Sequence, residues 1–240
     1  MMNLKGALST LCIVFLAGMA FGQKDWTQEA DLIYGAESYY AAVEAYKKAY
    51  PKEKDDKEQA RILYQIGECH RELAQADQAL IWYEKAEAAG YSNPAMDVHT
   101  GEVYMQQGKY EEAMAEFRAA MSGNPTSDIR RSAESGIKAC EKAVTMIKNP
   151  ARYVVKNEVQ LNSKNYDFSP YFADKKLESL IFTSSRPSGN GNSMDPIYGE
   201  SFSDIYYTER DPRGKWSAPI PLGGEGVNSA ANEGSAVFDD

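Results

Sequence analysis

The sequence predicts a chain of two unlike parts: a solenoid of stacked helical hairpins, followed by an antiparallel β region that begins a larger all-β assembly. Three observations carry this reading. Apolar and small residues recur at an offset of 34 between Ala60 and Ser127, within a stretch of helical periodicity. After Asn149-Pro150 the composition turns from lysine- and alanine-rich to Ser, Asn, Gly, Tyr and β-branched residues with closely spaced turn signals. Within that second stretch a further pattern repeats at an offset of 66.

The first element precedes both parts. Lys5 is followed by the apolar run from Ala7 to Ala20, and Ala20-Phe21-Gly22 puts small residues at −3 and −1 of a cut before Gln23. This is the three-part layout of a secretory signal peptide, expected over residues 1–22. The run is shorter than the ~20 residues a membrane-spanning helix needs. Cys12 lies early in it and follows Leu11, where a lipoprotein signal wants a small residue, so it reads as part of the apolar core. Export to an envelope compartment follows as the expectation, with the remaining chain soluble or peripherally attached. The chain carries a net charge of −9 with no lysine or arginine stripe, which argues against a nucleic-acid partner. Beyond the signal only Cys69 and Cys140 remain, outside any metal spacing, and they read as buried thiols or as one disulfide.

The helical part spans about residues 23–148. Aligning Ala60–Asn93 with Pro94–Ser127 pairs Gly67 with Gly101, Ala79 with Ala113, Tyr83 with Phe117 and Ala86 with Ala120. Small residues at these places let two helices cross closely, and the aromatic side chain fills the socket against the next hairpin. A single hairpin cannot bury its apolar face, so such units are stable only when stacked. An earlier copy, over about 23–59, shows Tyr39, Ala42, Tyr46 and Ala49, and the charged stretch Pro51–Asp56 adds three residues before the next. Residues 128–147 lack the diagnostic residues and read as a capping helix.

This pattern resembles the tetratricopeptide repeat, clearest in Gly101, Tyr104, Gly108, Tyr110, Ala113, Phe117, Ala120 and Pro125. The resemblance implies a protein-binding α-solenoid whose first helices line a concave groove. By register Arg61, Tyr64, Glu68 and Arg71 face it from one copy, and Val98, Glu102 and Met105 from the next. Some relatives clamp a peptide carboxylate there with Lys and Asn. Here Glu68 and Glu102 stand at two such places and are expected to repel that ligand. Solvated side chains with no binding role are the competing reading.

In the β part, four strands are expected at Asp167–Phe172, Leu180–Ser184, Asp204–Thr208 and Trp216–Leu222, which together make one propeller blade. The 66-residue recurrence pairs Asn162-Ser163 with Asn228-Ser229, Asp167 with Glu233, Ser169 with Ser235, Phe172 with Phe238 and Asp174 with Asp240. The expectation is thus the first blade of an incomplete β-propeller plus the first strand of the next, over 149–240. With both neighbouring blades missing, Phe168, Phe172, Phe182 and Tyr206 are expected to be poorly protected. The motifs DFSPYFAD, LIFTSSR, FSDIYYTER and W-S-x-P look like the WD-like repeat of TolB-type propellers. Joined to a signal peptide and tetratricopeptide repeats, the order resembles PorE-like proteins of the type IX secretion system. That resemblance implies a periplasmic, outer-membrane-associated scaffold that binds other envelope proteins. It also implies attachment to peptidoglycan through an OmpA-like domain that would follow.

No GxSxG, HExxH, P-loop or GxGxxG pattern is present. Of the two histidines, His70 occupies an aromatic interhelical slot. The loop Gly189–Asp195 has oxygen ligands without the spacing of a calcium loop. No catalytic, cofactor or metal residue is therefore expected. The alternative class is the interaction region of a longer envelope enzyme, since TolB-type propellers also precede serine peptidase domains.

Overall fold

The computed structural model describes residues 25–187, 194–224 and 226–236. The signal-peptide reading, Cys12, most of the Gly189–Asp195 loop and the Phe238 and Asp240 matches lie outside them. Among the described residues, seven α-helices are followed by one four-stranded antiparallel sheet.

The helices are α1 (Trp26–Gly35), α2 (Tyr39–Ala49), α3 (Asp56–Glu72), α4 (Ala76–Ala88), α5 (Pro94–Gln106), α6 (Tyr110–Ala120) and α7 (Ser127–Lys148). The starts of α1, α3, α5 and α7 follow from capping chemistry. Asp25 accepts from the Gln28 N–H, Asp55 from Glu58, Asn93 from Ala95 and Thr126 from Ile129, so each side chain satisfies an N–H that lacks an intrahelical partner. Pro94 opens α5, where its missing N–H costs nothing. Gly90 and Gly108 end α4 and α5 at positive φ, of 85° and 73°.

Pairing follows the repeat. The hairpins α1–α2, α3–α4 and α5–α6 stack through three apolar clusters: one around Tyr46 and Ile66, one around Leu63 and Tyr83, one around Val98 and Phe117. Ala42, Ala49, Ala79, Ala86, Ala113 and Ala120 are fully buried. The glycines do more than shorten a helix crossing. A Cβ on Gly67 would lie 2.5 Å from the Tyr83 ring, and one on Gly101 would lie 2.8 Å from Phe117. Each glycine is the floor on which the aromatic ring of its partner helix rests.

The last helix departs from the expected plain cap. Gly136 faces the other side of Phe117, where a Cβ would lie 2.4 Å from the ring. Cys140 and Ala133 join the same buried cluster. α7 therefore stands where the first helix of a further repeat would stand. Its apolar side carries Ala133, Gly136 and Cys140 flanked by Ile129 and Ile137, with no aromatic residue, so a search for the aromatic signature passes over it.

The strands are β1 (Asp167–Phe172), β2 (Ser179–Ser184), β3 (Asp204–Glu209) and β4 (Ile220–Pro221), in the order β1-β2-β3-β4. β4 is shorter than the expected Trp216–Leu222. Pro219 and Pro221 have no N–H to give the ladder, and Trp216 keeps only an isolated bridge to Arg210. β2 is buried on both faces, and with the covered side of β3 this corrects the expectation of poor protection for Phe182 and Tyr206. Phe182 and Tyr206 are 5% and 3% exposed, because Leu161 and Trp216 cover that face. Phe168 and Phe172, on the edge strand, are each 42% exposed as expected. The sheet unit meets the array where the Tyr40 N–H donates to the Ile197 carbonyl (3.2 Å) and the Tyr166 hydroxyl to the Leu73 carbonyl (3.4 Å).

Candidate partner-binding groove

The first helices of the three hairpins, α1, α3 and α5, lie side by side, and the residues at the groove register converge into two polar groups. In the first, Arg61 reaches across to α1. Its guanidinium donates to Asp31 at 2.9 Å and pairs with Glu58 on its own helix at 2.6 Å. Asp31 also accepts from the Tyr46 hydroxyl at 2.6 Å, and Gln65 donates to that hydroxyl at 3.2 Å.

The second group is centred on Glu68, only 3% exposed. Its carboxylate accepts from the Tyr83 hydroxyl, from Arg71 at 3.1 Å and from His99 Nδ1 at 2.8 Å. A carboxylate only accepts, so the His99 Nδ1–H points at it, and the Tyr64 oxygen, 3.0 Å from the same nitrogen, shares that hydrogen. Tyr64 is stacked on Tyr91, with ring centres 4.6 Å apart, and flanked by Tyr83 and His99. Arg71 extends the group to Glu72 and, at 3.6 Å, to Glu102 on α5.

Electrostatics follow from this packing. Burial alone would raise the Glu68 carboxyl, but the hydrogen bond and charge of His99, together with Arg71, outweigh it and hold the group below the usual carboxylate range. Burial and the adjacent Glu68 push the Tyr83 hydroxyl far up, so it stays protonated and donating. Burial pushes the Cys69 thiol up to about 12, which makes it a packing group and not a nucleophile. His70 is nearly buried, with Nδ1 2.6 Å from Gln75 Oε1, and burial lowers its pKa, so it packs as a neutral imidazole.

Each residue at the groove register thus has a definite place. Arg61 bridges α1 and α3. Tyr64, Glu68 and Arg71 form the interior of the second group, and Glu102 closes it from α5. Val98 is 4% exposed and belongs to the core beneath, while Met105 is half-buried against the same cluster. The acids are not free charges facing solvent: Glu68 is neutralised internally, and Glu102 faces Arg71. Asp31, Tyr83, Tyr91 and His99 complete the arrangement and were missed by register alone. His99 carried a signal, being one residue from Val98 and a turn before Glu102 on the same helix.

Among the described residues no group of three His, Cys, Asp or Glu side chains is placed to hold a metal ion. No helix among them is long and apolar enough to cross a membrane.

The family model of the tetratricopeptide repeat-like domain matches residues 6–138. The chain belongs to the tetratricopeptide repeat-like family. Of the solved structures that resemble this tetratricopeptide protein, PcrH from Pseudomonas aeruginosa is 19% identical, with a TM-score of 0.43. The similarity covers 52% of this chain and 98% of that one. No curated protein matches the tetratricopeptide chain. Arrays of this family are generally non-catalytic and act as scaffolds for protein–protein interaction.

Proposed function

We propose that this chain is a non-enzymatic scaffold of a bacterial envelope, exported to the periplasm, associated with the outer membrane, and joining proteins of a type IX secretion machine. The reading combines the signal-peptide layout, the tetratricopeptide array and a following propeller. One feature of the sheet unit supports the propeller in this reading.

The 66-residue recurrence reappears as recurring geometry. The Ser163 N–H and hydroxyl donate to the Asp167 carboxylate, and the Asn165 N–H donates to the Ser163 hydroxyl. The Ser229 N–H donates to Glu233, and the Ala231 N–H to the Ser229 hydroxyl. The same serine turn is built twice. The two copies also meet: Ser169 and Ser235, 66 residues apart, lie with hydroxyls 2.7 Å apart. Successive blades around a common axis bring equivalent residues side by side in this way, whereas two unrelated turns have no reason to. Attachment to peptidoglycan would then come from a further domain.

The test is made in the native bacterium. The tagged protein is expected in the outer-membrane fraction, cross-linked to other envelope proteins, and its deletion should leave type IX cargo inside the cell. Cytoplasmic localisation, or unimpaired cargo secretion in the deletion strain, would overturn the proposal.

A further inference from the structure

We infer that the array docks its partner in a lysine-rimmed apolar cleft between α2, α3 and α4, and that the cleft takes a peptide segment with a bulky apolar side chain flanked by carboxylates. This rests on the scaffold reading and says where, and with what chemistry, that scaffold binds.

The cleft holds about 520 Å3, within the range of pockets that enclose small ligands or side-chain anchors. Leu63 and Ile66 form its floor, Tyr50 and Trp82 its walls, and Lys47 and Lys85 its rim. The two ammonium groups converge on one indole: Lys85 Nζ lies 3.9 Å and Lys47 Nζ 6.0 Å from the centre of the Trp82 ring. Lys47 keeps an exposed pairing with Glu44 at 3.3 Å. Among the described residues no carboxylate lies within ion-pair distance of Lys85, whose described partner is the indole itself. A chain of net charge −9 therefore presents two cations beside an apolar opening. A side chain entering the cleft would be held by burial against the floor, and carboxylates beside it would meet the lysines.

The concave groove offers the opposite case. Its arginines and acids already satisfy one another, so a charged ligand there would first have to break Arg61–Asp31 or Arg71–Glu68. Arg71–Glu68, with the Glu68 side chain 4% exposed, is the costlier of the two to open, because removing one partner of a buried pair leaves the other uncompensated. At the cleft a ligand displaces only the exposed Lys47–Glu44 pairing, and Lys85 shifts from its ring.

The probe is a fluorescein-labelled peptide, Asp-Glu-Phe-Leu-Asp-Glu, titrated against the chain lacking residues 1–22. Saturable binding is expected, weakening steeply with salt. The double variant Lys47→Glu with Lys85→Glu, both on exposed side chains, should weaken it about tenfold or more. The same variant should gain affinity for the basic counterpart Lys-Arg-Phe-Leu-Lys-Arg. Binding that ignores the double variant, or no saturation at millimolar peptide, would overturn the inference. Binding that strengthens with Glu102→Lys and ignores the lysines would move docking to the concave groove; the cleft would be wrong and the scaffold reading intact. Failure of the scaffold reading shows separately, as the absence of envelope cross-links in cells.

Discussion

Replacing Glu68 tests whether the polar centre of the array holds the repeats together. Glu68→Ala removes the common acceptor of Tyr83, His99 and Arg71. Breaking a buried pair by deleting one partner typically costs about 3–5 kcal/mol. Arg71 retains Glu72 and Glu102, so most of its charge stays compensated. The groups left orphaned are the Tyr83 hydroxyl, on a side chain 3% exposed, and one edge of His99. An orphaned buried donor costs about 1–3 kcal/mol, which puts the loss at about 2–3 kcal/mol. With a urea m-value of roughly 2 kcal/mol/M, the midpoint should fall by about 1 M. The exposed pair Arg131–Asp128, with both side chains 77% exposed, is the internal control, and Arg131→Ala should move the midpoint hardly at all. The sign with pH follows from the depressed native pKa. Above the unfolded pKa of ~4.3 the stabilisation from Glu68 is fully present, and it is lost as pH falls through the lower folded value. The gap between wild type and Glu68→Gln should therefore be widest near neutral pH and close in acid. A midpoint equal to wild type at neutral pH, or a gap that widens in acid, would refute the reasoning.

Three further outcomes are expected. Ala79→Leu and Ala113→Leu, each at a fully buried position where hairpin helices touch, should cost about 1–3 kcal/mol by overpacking; an unchanged urea midpoint in both would mean that the repeat register is wrong. N-terminal sequencing of the exported protein should begin at Gln23, and a lipid-modified Cys12 as first residue would refute cleavage after Gly22. Hydrogen exchange should be slow across α3–α6 and across β2, and fast in β1, with limited proteolysis cutting between 149 and 156; equal protection of β1 and β2 would contradict the contrast between an exposed edge strand and its buried neighbour.

What could be read from the sequence was whatever local periodicity encodes. The pairs Gly67–Tyr83 and Gly101–Phe117 lie within single hairpins, so one repeat period contains both members, and self-comparison finds them. The strands β1 to β3 were legible for the same reason: each is a short run of aromatic and β-branched residues bounded by turn signals. The centre of the groove was only half legible. Register identified Glu68 and Arg71 as neighbours on one helix. Their other partners come from different helices: Tyr83 from α4 and His99 and Glu102 from α5. No periodicity couples a glutamate to a histidine 31 residues away, because His99 has no counterpart at the matched place, where Gln65 stands.

That asymmetry between copies bears on how an array of similar hairpins comes to bind one partner. Residues that repeat at 34 build the stack, since each interface needs the same small and aromatic positions. Residues that break the repeat differentiate one interface from the next. Gln65 meets Tyr46 where His99 meets Glu68, so the α1–α3 seam is held by Asp31 and Arg61, and the α3–α5 seam by Glu68, Arg71 and His99. The cleft is a non-repeating feature as well. Its Trp82 corresponds to Glu116 in the next copy, and its Lys85 to Ala119. Stacking the α5–α6 hairpin on its neighbour therefore builds no second cleft of this kind. If selectivity resides where the repeat is broken, moving Trp82 and Lys85 into the third copy as Glu116→Trp with Ala119→Lys should create a second, weaker docking place for the acidic peptide. A binding stoichiometry that stays at one, with the variant folded and its first site intact, would show that the aromatic and the lysine are not sufficient, and that the floor of Leu63 and Ile66 selects as well.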